Sequence, residues 1–70
     1  MEKPTVKLIG EDGNAFNILA KTRKALRKHL KEQGLSPDEI REEVEKFTKE
    51  ATDGDYDHLL AVVMKWFEVE

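Results

Sequence analysis

Lys21, Arg23, Lys24, Arg27, Lys28 and Lys31 put six cations into eleven residues that hold no acid. Lys21, Lys24, Lys28 and Lys31 recur at i, i+3, i+7 and i+10, the spacing of one helical face. Such a row can meet successive phosphates, and its affinity then falls steeply with salt. The plainer reading is a solvated face whose cations sit towards the negative end of a helix. The segment that follows can also neutralise it, since it carries Asp38, Glu39, Glu42, Glu43, Glu45 and Glu50. The formal net charge of -3 favours a protein partner, while the local run of six cations keeps nucleic acid as the alternative. The turn Gly34-Leu35-Ser36 has the spacing of a helix-turn-helix. A recognition helix so rich in acids would be repelled by phosphates, so the turn reads as ordinary punctuation.

Asp53, Asp55 and Asp57 fall at positions 1, 3 and 5 of a calcium loop. Position 6 should be Gly and is His58, and position 12 should be Glu and is Met64. The motif fails there, and capping plus the helix dipole account for the three acids. His29 and His58 lack further ligands at a defensible zinc spacing, so no metal or cofactor is expected. Cysteine is absent, which removes disulfides, thiolate sites and a cysteine nucleophile. Neither a phosphate loop nor a serine elbow occurs, and Asp57 and His58, adjacent on a helix, point apart. No catalytic residue is therefore assigned.

The elements that carry these residues are few. Seventy residues with 39% apolar side chains make one domain with one modest core. The longest apolar run, residues 59–64, is far shorter than the roughly 20 of a membrane helix or the about 7–15 of a signal-peptide core. Residues 5–9 alternate as a short half-buried strand. Its possible partners are residues 67–70, which also alternate, and residues 15–19 across the Asp12-Gly13 turn. The second stretch reads better as the start of a helix over about residues 14–33. There Phe16, Leu19, Ala20, Arg23, Leu26 and Leu30 form the inward stripe, with Asn14 or Asp12 as cap. Gly34 and Leu35 fit a Schellman ending. A second helix, about 37–52, opens on the capping box of Ser36 and Glu39 with Pro37 at N1. Its stripe of Ile40, Val44, Phe47 and Ala51 is narrow and suits packing on one side. A third helix, about 56–67, is capped by Asp53 or Asp55 and is apolar over most of its surface. The expected fold is mainly α: a compact three-helix domain with a short N-terminal strand, a minimal α+β arrangement if that strand pairs with the C-terminal end.

Residues 7–16 (KLIGEDGNAF) and 51–60 (ATDGDYDHLL) resemble the two signature stretches of a family of short, uncharacterised bacterial proteins associated with plasmids and other mobile elements. The resemblance implies a small cytoplasmic stand-alone domain in a DNA-related setting. It carries no catalytic residue across.

The expectation is a non-enzymatic interaction protein that binds another protein, or itself as a homodimer, through helix 3. Val62, Met64 and Trp66 are the candidate interface: Val62 and Met64 are left over once Leu59, Leu60, Val63 and Phe67 fill the core, while Trp66 by itself reads more readily as core than as a ligand-stacking residue. The alternative is a nucleic-acid-binding accessory protein using Lys21, Lys24, Lys28 and Lys31. In an up-down-up bundle the starts of helices 1 and 3 share one end, which makes Asn14, Asp55, Tyr56 and His58 a third candidate surface. An anion or a partner's carboxylate could sit there, opposed by the acids already present. A membrane partner is not expected.

Overall fold

The computed structural model describes residues 3–8 and 13–70. In chain order these form β1 (Thr5–Val6), α1 (Ala15–Glu32), α2 (Pro37–Ala51), α3 (Tyr56–Trp66) and β2 (Glu68–Val69). Each helix ends within one residue of its expected bounds. Residues 15–19 are helical, so the hairpin alternative falls. Ile9 of the expected strand and Asp12, one of the two cap candidates, lie outside the described residues.

Local chemistry sets the helix ends. Asn14 Oδ1 accepts the Phe16 N–H at 2.8 Å and opens α1. Gln33 ends it, and Gly34 then takes φ +86°. Gly34 N–H reaches the Lys31 carbonyl at 3.1 Å and Leu35 N–H reaches that of Leu30 at 3.2 Å, the two bonds of a Schellman motif. Ser36 Oγ accepts from Glu39 N–H at 3.3 Å, and Glu39 Oε1 accepts from Ser36 N–H at 3.0 Å. That reciprocal pair is the capping box of α2.

β1 and β2 pair in parallel, Thr5 opposite Glu68 and Val6 opposite Val69. Glu68 N–H donates to the Pro4 carbonyl and Glu70 N–H to that of Val6, both at 2.9 Å. The chain's two ends are thus tied together, and Val6 is buried beneath the pair.

The core joins Val6 to Ile18, Leu26 and Leu30 of α1, Val44, Phe47 and Ala51 of α2, Leu59, Val62 and Val63 of α3, and Phe67. One expectation about packing is corrected. The inward stripe of α1 is Ile18, Thr22, Leu26 and Leu30, while Phe16 is 83% exposed and Ala20 is also outside. Thr22 enters the core because its hydroxyl shares a proton between the Ile18 carbonyl at 2.8 Å and the Leu19 carbonyl at 3.1 Å. A buried hydroxyl satisfied within its own helix leaves a methyl group to pack. The stripe therefore follows one i+4 ridge. The stripe of α2 is as expected, with Val44, Phe47 and Ala51 buried and Ile40 half-buried, and that one side meets both α1 and α3. No helix among the described residues is long and apolar enough to cross a membrane.

Gly34 has open space around its α-carbon, so only its backbone conformation resists a side chain. Gly34→Ala should lower unfolding stability by about 1–2 kcal/mol. Urea titration read by circular dichroism checks this, with native helix content expected to be unchanged.

Candidate functional site

The starts of α1 and α3 meet. Tyr56 Oη donates to the Gly13 carbonyl at 2.6 Å. The polar groups there are already engaged: Asn14 caps α1, and Asp55 Oδ1 accepts His58 N–H at 2.9 Å to cap α3. His58 Nε2 lies 2.8 Å from the Glu50 carbonyl, so this nitrogen carries the proton. Gly54 lies under that imidazole, where a Cβ would stand 2.7 Å from His58 Cγ. This end of the molecule is a joint between helices rather than an open anion site.

The α3 surface needs correction. Val62 is not left over but 4% exposed, because its position shares the inner face with Leu59 and Val63. Trp66 is half-buried and stacks edge-on against Phe47, with ring centroids 5.4 Å apart. Its indole Nε1–H donates to Glu50 Oε2 at 3.2 Å. Of the three residues only Met64, 65% exposed, lies open.

Glu50 is the polar clasp between α2 and α3. Besides Trp66 it accepts from Lys65 Nζ at 2.7 Å. The Lys65 hydrogen bond first, and the Trp66 hydrogen bond second, hold its carboxyl below the usual range. Glu39 is shifted the same way by the Ser36 backbone and then the Ser36 hydroxyl.

The lysine row borders two depressions. Lys21, Lys24 and Lys28 line a cleft of about 620 Å³ between α1 and β1, where Lys7 and His29 join them and Glu32 is the one acid. Lys31 lines a groove of about 1090 Å³ between α1 and α2. At about 100° per residue the four lie within about 80° of one another, so Lys31 stands at the edge of the shared face nearest that groove.

That groove is the larger feature. Leu35 and Ile40 give it an apolar floor with Val44 at its edge, and Arg23, Arg27, Lys31, Arg41 and Lys49 rim it, with Glu45 the one carboxylate. Its lining comes from α1, the turn and α2, with no residue of α3. The inward-stripe reading of Arg23 and the solvated reading of Arg27 hid it. Its signal in the sequence was two i+4 rows: Arg23, Arg27 and Lys31 on α1, and Ile40, Val44 and Thr48 on α2. The rows become a site only when the turn at Gly34 brings the two helices side by side. Among the described residues no group of three or more His, Asp or Glu is placed to hold a metal ion.

No protein-family model matches the chain, and neither does a curated protein or a solved structure. The site is therefore read from its own geometry.

The Glu50 clasp has a pH signature. A carboxyl held low in the folded state stabilises fully above its unfolded value, and that contribution is lost as pH falls through the folded one. Glu50→Gln should lower the urea midpoint near neutrality. It should also flatten the decline in midpoint that the wild type shows on acidification from about pH 5 to about pH 3.

Proposed function

We propose that the chain is a non-enzymatic protein-binding module whose docking surface is the groove between α1 and α2. The observation that carries this is a groove whose half-buried apolar floor, Leu35 and Ile40, lies inside a charged rim. Open apolar surface bounded by polar residues marks interaction sites on small proteins. The corrected α3 surface supports this reading over self-association through that helix, since Val62 is core and Trp66 is held by Phe47 and Glu50. The engaged state of Asp55 and His58 favours a binding role over catalysis. The likeness of residues 7–16 and 51–60 to plasmid-associated proteins adds a bacterial, cytoplasmic setting to the proposal.

A photo-crosslinking residue at position 49 tests it. In the native host it should capture a partner polypeptide, and the same residue at position 64 should not. Capture from 64 alone would move the interface to α3 and end the groove reading.

A second reading has its own observation. Lys7 joins Lys21, Lys24 and Lys28 at the β1 cleft, a cation cluster suited to a phosphate backbone. If nucleic acid binds there, Lys24→Glu with Lys28→Glu should abolish retention of a duplex oligonucleotide. The log of affinity should also fall with the log of salt at about -0.9 per phosphate neutralised. Retention unaffected by the double variant would remove the cleft.

A further inference from the structure

We infer that the α1/α2 groove receives an acidic amphipathic helix of a partner protein, with apolar side chains on Leu35 and Ile40 and carboxylates against Arg23, Arg27 and Lys31. This rests on the docking reading and adds the chemistry of the occupant.

The shape argues for a helix. α1, the short turn and α2 form a helical hairpin, and a hairpin offers two faces to a third helix. α3 packs against the hairpin, yet no residue of α3 lines the groove. The uncovered face is bounded along α2 by Pro37 and Thr52, a span of about 22 Å at the rise of a helix. A segment of three to four turns fits that length.

The charge argues for acid. Five cations line the groove against Glu45 alone, on a chain whose formal net charge is -3. Arg41 is paired with Asp38 at 2.7 Å, an exposed contact of the weak kind. Among the described residues Arg23, Arg27, Lys31 and Lys49 have no ion pair. Arg23 is half-buried, and its Nε, which has almost no accessible surface, meets no acceptor among the described residues.

Other occupants answer less of this. A nucleic-acid backbone would satisfy the cations but offer nothing to the apolar floor. A second copy would have to present an acidic helix with an open apolar stripe. The acidic helix here is α2, whose Val44, Phe47 and Ala51 are buried in its own core.

The test uses the full chain and a fluorescent synthetic helix of about 16 residues, with Leu along one stripe and Glu elsewhere. Controls are the same peptide with Lys for Glu, and a duplex oligonucleotide. Anisotropy should report binding of the acidic peptide that weakens with salt. Affinity should drop at least about tenfold for the Lys peptide and for the Arg23→Glu, Arg27→Glu double variant, folded by circular dichroism. Should that variant unfold, Lys31→Glu with Lys49→Glu, both at exposed positions, reads the same loss. A Lys peptide within about twofold of the acidic one overturns the inference. So does an acidic peptide that fails to bind, tighter binding of the oligonucleotide through the same residues, or a dimer that the double variant dissolves. A partner crosslinked through position 49 alongside a failed acidic peptide overturns the acidic chemistry alone. Failure of both overturns the docking reading as well.

Discussion

Phe47 is the side chain on which the arrangement of the layers depends. It has no exposed surface, and it meets Trp66 and Phe67 edge-on, each ring centroid 5.4 Å away. Edge-to-face contact sets the orientation of the rings as well as burying them. Trp66 is the last residue of α3, and Phe67 is the extended residue after it. Seating both rings on Phe47 fixes where α3 stops and the direction in which the chain leaves. That exit puts Glu68 and Val69 beside Thr5 and Val6, and β1 in turn lies over α1. One residue of α2 thus sets the angle of α3, the parallel strand pair and the cover on the far side of α1. Glu50, one turn further along α2, adds the polar half of the same joint through Lys65 and Trp66.

What could be read from residues alone was what local physics decides. Asn14, Ser36 and Asp55 cap the helices because each side chain needs only a backbone N–H two or three residues away. Gly34 ends α1 because its φ is accessible to glycine at no steric cost. The errors arose where a choice depended on distant partners. On α1, periodicity suggests a stripe through Phe16, whereas the buried one runs through Ile18 and Thr22, whose hydroxyl is satisfied by the Ile18 and Leu19 carbonyls. On α3 nearly every position is apolar, so pattern could not separate Val62 from Met64. The contact with Phe47 fixes the rotation of the helix, and nothing in the local sequence reports it. The groove needed two helices at once, which no single window of sequence contains.

The free groove also has to remain stable in water. Val44 meets it only at its edge, since it belongs to the core and is 5% exposed. Arg23, Arg27 and Lys31 stand along α1 at i, i+4 and i+8 beside the half-buried Leu35 and Ile40. Long cationic side chains lay their methylene stems on such apolar surface while the charged ends stay hydrated, which limits what is open to water. A chain of this size with the same floor bare would face a stronger pull towards nonspecific association.

The same rim explains how one hairpin can hold α3 on one face and remain open on the other. α3 is apolar over most of its surface, and its charged residues are Asp57 and Lys65, one of each sign. It gains nothing from a cationic border. Against Phe47 it finds aromatic contact and the Glu50 carboxylate, which Lys65 and Trp66 answer directly. The two sides of α2 thus differ. The side with Phe47 and Glu50 meets the apolar helix that ends in Lys65 and Trp66. The side with Ile40 is bordered by arginine and lysine. Charge on the rim adds little to the stability of the domain, since exposed cations contribute little there. The two sides of the hairpin therefore differ in chemistry: α3 packs on one, and a cationic border rims the other.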